Sequence, residues 1–304
     1  MHILITGGTG LLGKRLTSYL LEHAMHPRIV SRSTNDSADI SQYEWNVDEG
    51  RIDPDAFTEV DTVIHLAGAN IAEGRWNTKR KEEILSSRIR STRLLFESVK
   101  KINSNERPKT FICASATGYY GIHDFEHESR EDDQAGEGFL AQVCLQWEKE
   151  ADRFATLGMR VIKIRTGVVF DEKGGALHKM TQPIRYLMGS PLGSGKQSVC
   201  WIHWEDWCRA IHHFITHKGL SGSYNLVAPE PVTNAKLTRL IARIIKRPLW
   251  LPNVPGFMLK FLLGEMSTVV LEGHKMSSKK LEDAGYQFNF PAAEKAISDL
   301  LIRP

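Results

Sequence analysis

The sequence lacks a long apolar run, a strong excess of charge of either sign and paired cysteines. In 304 residues no apolar run approaches the roughly 20 residues that a membrane-spanning helix needs. The 39 basic and 36 acidic residues leave a formal net charge of +3, which predicts neither a nucleic-acid partner nor an anionic membrane partner. Four cysteines without Cys-x-x-Cys spacing, and no secretory signal, predict reduced thiols in a cytoplasmic protein.

The most informative segment that is present runs from Ile3 to Gly13, where an apolar strand passes through spaced glycines directly into a helix. Gly8-x-Gly10-x-x-Gly13 satisfies the dinucleotide fingerprint, in which the glycines allow a tight turn, a close approach of the pyrophosphate and packing of helix on strand. The alternative is a purely structural glycine turn. The residues of this segment that we predict to bind a cofactor are Thr6, Gly7, Gly10, Leu11, Leu12 and Gly13.

The end of the second strand predicts which dinucleotide binds. An acidic side chain there would hold the ribose 2′-OH of NAD, but the strand Arg28-Ile29-Val30 ends in Ser31-Arg32-Ser33, and the first carboxylate is Asp36 in a polar loop. Arginine offers a fork of donors that matches phosphate, and Ser31 adds a hydroxyl, so this corner favours NADP. The alternative for Arg32 is a solvated surface side chain.

Strand and helix patterns alternate along the first part of the chain, which is typical of an α/β fold with a parallel sheet covered on both faces. The sequence predicts strands over 62–68, 110–115 and 159–165. Helical spacing of apolar residues separates them, over 84–99 and 139–157. We therefore predict a Rossmann fold, a doubly wound parallel sheet.

The alternation stops in the later part of the chain. We predict an NADP-binding Rossmann domain over 1–228, with 170–198 as an excursion toward the substrate pocket, and a small, mainly helical C-terminal substrate region over 229–304. Thr233 is placed to cap the first helix of that region. From Pro255 onward the pattern is entirely helical.

Further motifs accompany the glycine loop over nearly the whole chain, and with them the chain resembles the extended short-chain dehydrogenase/reductase family. More narrowly it is similar to its atypical YfcH-type epimerase family proteins, a subgroup with an NADP-binding Rossmann domain and a small helical C-terminal domain. The motifs are Leu66-Ala67-Gly68, Arg75-Trp76, Ser115-Ala116-Thr117-Gly118-Tyr119-Tyr120-Gly121, Arg165-Thr166-Gly167-Val168-Val169 and Trp201-Ile202-His203-Trp204.

The resemblance implies roles for several residues toward the cofactor. Ser31 and Arg32 would meet the adenosine phosphate, and Leu66, Ala67 and Gly68 the ribose and diphosphate. Arg88 takes the place of an asparagine that helps to hold the cofactor in relatives, and Glu83 lies on the same helix; for both, an exposed helix salt bridge is the alternative. Val169 would lie near the nicotinamide. The resemblance also suggests a homodimer formed through two long helices.

One departure from the family pattern concerns catalysis. Members use Tyr-x-x-x-Lys, in which the lysine lowers the pKa of the tyrosine and orients the nicotinamide ribose. Aligning the segment that begins at Gly138 places Phe139 at the tyrosine and Val143 at the lysine. The remaining candidates for catalysis are Ser115, Tyr119 and Tyr120, for each of which packing or substrate shape is the alternative. Further replacements for the missing groups are Cys144, Glu148 and Lys163.

The sequence thus predicts an NADP(H)-binding oxidoreductase or epimerase-like protein with an altered catalytic set and an unidentified small-molecule substrate. The rival hypothesis is a non-catalytic NADP(H) sensor. No pattern of metal ligands is complete: His203-Trp204-Glu205 has the spacing found in zinc deaminases, but no Pro-Cys-x-x-Cys follows it.

Overall fold

The computed structural model describes residues 1–33, 40–123 and 126–302, and the polar loop predicted around Asp36 lies outside them. The strands of the described residues are β1 (His2–Thr6), β2 (His26–Ser31), β3 (Gln42–Asn46), β4 (Arg51–Ile52), β5 (Val60–His65), β6 (Thr110–Ala116), β7 (Glu128–Ser129), β8 (Arg160–Thr166), β9 (Val168–Phe170), β10 (Ser198–Val199), β11 (Trp201–His203), β12 (Gly222–Leu226), β13 (Val232–Thr233) and β14 (Lys275–Met276).

Ten α-helices accompany these strands in the described part of the chain. They are α1 (Leu11–Glu22), α2 (Thr78–Lys101), α3 (Phe139–Asp152), α4 (Gly175–Arg185), α5 (Trp204–Thr216), α6 (Asn234–Ile244), α7 (Gly256–Leu263), α8 (Thr268–Leu271), α9 (Lys279–Asp283) and α10 (Ala293–Ile302). No helix of the described ranges is both long enough and apolar enough to cross a bilayer.

Eight strands form one sheet in the order β12-β8-β6-β5-β1-β2-β3-β4. All neighbours are parallel except β3 and β4, which are antiparallel at one edge. The direction of strand addition reverses between β1 and β5, and the crevice at such a reversal is where ligands bind in open α/β sheets. The predicted doubly wound parallel sheet is confirmed.

The strands bury side chains on both faces because each face is covered by a pair of helices. Ile3 and Ile5 of β1 pack with α1 and α5, whereas Leu4 lies in a second cluster with α2 and α3. Alternating residues of one strand therefore belong to two cores, which is the expected consequence of strand geometry when both faces are buried.

A third core joins the C-terminal region to the preceding part of the chain, since α6 and α10 pack with α4 around Phe170 and Trp201. Thr233 caps α6 as predicted, its side chain accepting a hydrogen bond from the Lys236 amide at 3.3 Å. The expectation of an entirely helical chain after Pro255 is wrong at β14, which pairs with β7. A two-residue strand has no periodicity to reveal it, since it exists only through its partner.

The structure also places strands that the sequence pattern did not predict. β3 and β4 lie at the edge of the sheet, where β3 has the mixed sequence Gln-Tyr-Glu-Trp-Asn and only Trp45 is buried. An edge strand needs few apolar residues, because one side of it faces solvent. The division between 228 and 229 stays a prediction.

Candidate functional site

The glycine loop between β1 and α1 lies directly against the end of β5. Gly7 has φ +75°, and a Cβ placed on it would lie 2.9 Å from the backbone nitrogen of Ala67. A Cβ on Gly13 would overlap the carbonyl oxygen of Gly7. Both positions therefore require glycine for a reason that is visible in the fold, the close approach of loop, helix and neighbouring strand.

Gly10 differs from these two glycines because the space beside it is more open. A Cβ there would meet only the Gly7 carbonyl oxygen, at 3.3 Å. Gly10 is also the N-cap of α1 and supplies no side-chain bond to the first-turn amides, which begin at Leu11 and Leu12. The positive end of the helix dipole and its amides thus have no acidic or hydroxyl partner within the cap, an arrangement suited to an anion such as pyrophosphate.

Thr6 connects the two strands beneath the loop. Its hydroxyl lies 2.6 Å from Nδ1 of His65, and the hydroxyl of Ser91 on α2 lies 3.1 Å from the other ring nitrogen. Burial, together with the nearby positive charge of Arg88, lowers the pKa of His65 to about 3, so this imidazole is neutral near pH 7. Thr6 and His65 therefore fix the strand ends at the crevice.

The corner predicted for the adenosine phosphate lies at the end of β2. Ser31 is buried, and its hydroxyl donates a hydrogen bond to the Ser33 carbonyl. Arg32 is exposed, and among the described residues no carboxylate forms an ion pair with it. An exposed guanidinium without an acidic partner is available to an external phosphate.

Arg88 extends from α2 to the turn that follows β5. Its Nη1 donates to the carbonyls of Ala69 at 3.2 Å and Ile84 at 2.8 Å, and its guanidinium lies 5.0 Å from the centre of the Trp147 ring. A Cβ placed on Gly68 would lie 3.0 Å from Cζ of Arg88. Burial lowers the pKa of this guanidinium, and it forms no ion pair with a carboxylate of the described residues. The cation beneath the crevice is thus partly desolvated and not neutralised.

Two further predicted cofactor residues lie in different surroundings. Glu83 forms an ion pair with Arg80 at 2.7 Å on the exposed side of α2, so the alternative given for it, an exposed helix salt bridge, describes its position here. Val169 lies in β9, half-buried against the core on the α1 side of the sheet. Their roles toward a cofactor stay predictions.

The three candidate catalytic residues meet around one buried ion pair. Ser115, at the end of β6, donates a hydrogen bond to Oε1 of Glu148 at 2.7 Å. Arg165 of β8 contacts the same carboxylate through Nε and Nη2, each at 2.9 Å, and donates to the Tyr120 hydroxyl at 2.9 Å. Although burial opposes its charge, the hydrogen bonds with Glu148 raise the pKa of Arg165.

The two tyrosines differ in exposure. Tyr120 is fully buried, its hydroxyl donates to Oδ1 of Asn225 at 2.6 Å, and burial raises its pKa. Tyr119 is half-buried, with the Arg165 guanidinium 3.5 Å from its ring centre. Tyr120 is therefore a fixed part of the scaffold, whereas Tyr119 has an accessible side.

Helix α3 presents two rows of side chains to different neighbours. Phe139 and Val143, the residues aligned with the missing dyad, pack against Trp76 and Ile84. The row that meets Ser115 is one position later, at Cys144 and Glu148. A shift of one residue turns a helix by about 100°, so the row at Phe139 and Val143 and the row that meets Ser115 face different neighbours, and the alignment with the dyad stays a prediction.

The same helix contains no tyrosine, and its one lysine is Lys149. Burial raises the pKa of Cys144 to about 11, which leaves the group beside Ser115 an uncharged thiol near pH 7. The described residues also hold no cluster of three histidine, cysteine, aspartate or glutamate side chains suited to a metal ion.

Sequence reasoning missed Arg165 and Asn225 as members of this network. Arg165 lies in β8 and Asn225 in β12, and both side chains are buried. A charged or amide side chain inside a buried strand is rarely left without a partner, and that was the available signal.

Comparison with known proteins identifies the family. Residues 3–227 match the NAD dependent epimerase/dehydratase family, and the chain belongs to it. Residues 254–300 match a domain of unknown function, DUF1731. The chain is 38% identical over 303 residues to "Epimerase family protein YfhF" of Bacillus subtilis (strain 168), covering 99% of this chain and 98% of that protein. It is 37% identical to "Epimerase family protein ML0860" of Mycobacterium leprae (strain TN), covering 99% and 96%.

Solved structures support the same assignment. The human epimerase family protein SDR39U1 (isoform 2), solved with NADPH, superposes with a TM-score of 0.88 at 29% identity, covering 100% of both chains. A UDP-glucuronic acid 4-epimerase from Bacillus cereus, solved with UDP-glucuronic acid and NAD, has a TM-score of 0.80 at 16% identity, covering 99% of this chain and 98% of that one. At that identity the second likeness concerns the fold alone. Both solved relatives hold a nicotinamide dinucleotide, NADPH in the human protein and NAD in the bacterial one.

Proposed function

We propose that the protein binds NADP(H) in the crevice between β1 and β5 and acts as an oxidoreductase or epimerase-like enzyme on an unidentified small molecule. The observation that carries the proposal is a set of donors around this crevice that have no acidic partner among the described residues: the N-terminus of α1, Arg32 and Arg88. Positive groups in such an arrangement favour an anion with several phosphates. The NADPH bound to the human structural relative supports the same choice.

Each group meets a different part of the dinucleotide in this proposal. Gly10 and the first turn of α1 receive the pyrophosphate, and Ser31 with Arg32 receives the 2′-phosphate. Arg88 adds a positive charge from below the turn at Gly68. A nicotinamide bound beyond Leu66 would supply a hydride donor or acceptor.

Ser115 is the substrate-facing residue of the proposed site. Its hydroxyl donates to Glu148, and the same carboxylate oxygen also accepts a hydrogen bond from Arg165. The lone pairs of the Ser115 oxygen are then left to accept a hydrogen bond from a substrate hydroxyl. Tyr119 lines the same side, and Tyr120 positions Arg165 without touching the substrate.

Titration calorimetry with NADPH and NADH tests the cofactor assignment. The wild type should prefer NADPH, and Arg32→Ala should remove a preference of roughly ten- to hundredfold, since a charge-assisted bond contributes about 1.5–3 kcal/mol. Arg28→Ala is the matched control, because this arginine of the same strand donates to the Thr58 carbonyl instead. Equal affinity of the wild type for both cofactors contradicts the proposal.

A non-catalytic NADP(H) sensor is the second candidate, and the absence of a tyrosine from α3 favours it. Oxidation of NADPH in the presence of a panel of carbonyl compounds separates the two. Turnover that falls in Ser115→Ala and Tyr119→Phe supports the enzyme. Tight NADPH binding without turnover on any compound supports the sensor.

A further inference from the structure

The near-zero net charge of the chain conceals two segments of one sign. Residues 173–204 contain four basic side chains and no aspartate or glutamate, and residues 231–264 contain six basic side chains and again no acidic one. The rest of the chain then holds 29 basic against 36 acidic residues. Positive charge is concentrated in two stretches, and the remainder of the protein is negative.

The fold brings these two stretches together. The Leu192 amide donates to Oδ1 of Asn234 at 2.8 Å, and the Ala235 amide donates to the Gly195 carbonyl at 3.0 Å. The Val254 amide donates to the Pro191 carbonyl, and the Gly193 amide donates to the Val254 carbonyl, each at 2.9 Å. Two segments that are distant in sequence therefore form one basic sector, which we call the 173–204/231–264 sector. Carboxylates from outside it pair with two of its ten cations, Glu230 with Lys236 and Glu294 with Arg243.

Helix α7 lies in this sector and exposes an apolar face. Phe257 is 73% exposed and Phe261 80%, with Met258 and Leu262 beside them. At about 100° per residue these four side chains cover an arc of about 140°. Leu259, on the opposite side, is the buried residue of the helix. Four large apolar side chains on one helix face form an exposed patch of the kind that marks an interaction site.

Two further exposed apolar side chains lie in the same sector. Ser190 donates a hydrogen bond to the Pro252 carbonyl, and Leu192 forms a parallel bridge with Val254. The segments 190–192 and 252–254 therefore run side by side. Met188, two residues before Ser190, is 62% exposed, and Trp250, two residues before Pro252, is 69% exposed. Arg185, Lys246 and Arg247 lie within four residues of this pair and are exposed.

We propose that an exposed apolar face within the basic sector docks onto the surface of an anionic phospholipid bilayer. The face consists of Phe257, Met258, Phe261, Leu262 and Trp250. Aromatic and aliphatic side chains beside lysine and arginine match the boundary between acyl chains and acidic headgroups. A second copy of the chain is a poorer occupant, because two such sectors would repel each other. A nucleic acid would use the cations but not the aliphatic side chains.

This docking differs from a membrane span. α7 has eight residues, and its C-terminal end is held by Arg75, which donates to the Phe261 carbonyl at 3.3 Å, and by Lys81, which pairs with Glu265 just beyond the helix. The helix therefore lies on the surface of the protein, with its apolar face toward the solvent. The sequence expectation that no membrane partner exists rested on the net charge of the whole chain, whereas the proposal rests on where the charges lie. It does not depend on the proposed cofactor.

Flotation of the full-length protein with vesicles tests the proposal. The protein should float with vesicles of equal parts phosphatidylglycerol and phosphatidylcholine, should float far less with phosphatidylcholine alone, and should be partly released by high salt. The variant Phe257→Ser with Phe261→Ser should lose at least about tenfold in partitioning, since each phenyl ring contributes apolar area on insertion. Lys246→Glu with Arg247→Glu should weaken binding to the anionic vesicles alone.

Leu21→Ser is the matched control, because Leu21 is an exposed apolar residue of α1 outside the sector. It should float like the wild type. All these variants change exposed side chains, so their thermal unfolding midpoints should stay close to that of the wild type and show that folding is intact. A wild type that does not float with anionic vesicles overturns the proposal. So does a dimer that dissociates in the Phe257/Phe261 variant, which would make the face an interface between copies.

Discussion

The buried ion pair between Glu148 and Arg165 provides the sharpest test of the candidate site. Both side chains are at most 5% exposed, and two hydrogen bonds of 2.9 Å join them. Glu148→Gln keeps an oxygen that Ser115 can donate to but removes the negative charge. Because Arg165 would then be a buried cation without a counter-charge, we expect the free energy of unfolding to fall by about 3–5 kcal/mol.

A double variant separates the lost pair from general damage to the core. Glu148→Leu and Arg165→Met each leave one buried charge unpaired, whereas the combination leaves none. The double variant should therefore be more stable than the sum of the two single losses predicts, by several kcal/mol. Ser115→Ala removes one hydrogen bond to the same carboxylate and should cost only about 1 kcal/mol.

Urea unfolding followed by tryptophan fluorescence measures these differences, and Trp147 lies on the same helix as Glu148. If Glu148→Gln lies within about 1 kcal/mol of the wild type, the pair behaves like a solvated surface bridge and the buried arrangement is refuted. Additive losses in the double variant would also refute it, because the two groups would then not interact.

Three further predictions concern the crevice and α3. Gly10→Ala should fold and lose affinity for NADPH, whereas Gly13→Ala should be destabilised. The reason is that only a Cβ at position 13 overlaps the Gly7 carbonyl oxygen. Thermal unfolding and calorimetry of both variants check this. In the folded protein the pKa of His65 is lowered from 6.5 to about 3. Below pH 6.5 the unfolded chain therefore binds a proton that the folded chain does not. The free energy of unfolding should fall by about 2 kcal/mol between pH 7 and pH 5. Urea unfolding at the two pH values should show a smaller loss in His65→Asn. Phe139→Tyr with Val143→Lys should lower the unfolding midpoint without creating carbonyl reduction, because both residues face an apolar cluster around Trp76; a gain of NADPH oxidation would contradict the register of α3.

Local sequence was sufficient wherever one short segment determines its own conformation. The spacing Gly8-x-Gly10-x-x-Gly13 alone predicted the turn from β1 into α1, in which the fold leaves no room for a side chain at Gly7 or Gly13. Thr233 was identifiable as a cap because its hydroxyl bonds an amide three residues away. The alternation of strands and helices predicted the parallel sheet, since each such unit is completed within a few tens of residues.

The tertiary structure decided what depends on contacts between distant segments. Tyr120 meets Asn225 across 105 residues and Ser115 meets Glu148 across 33, so the ion pair at their centre has no local signature. The face of α3 that meets Ser115 depends on how the helix is rotated, which packing against α2 and β6 determines. Net charge is a sum over the sequence, but the field at a surface depends on which charges are neighbours. That arrangement, which places two basic segments and the apolar face of α7 together, arises only when the chain is folded.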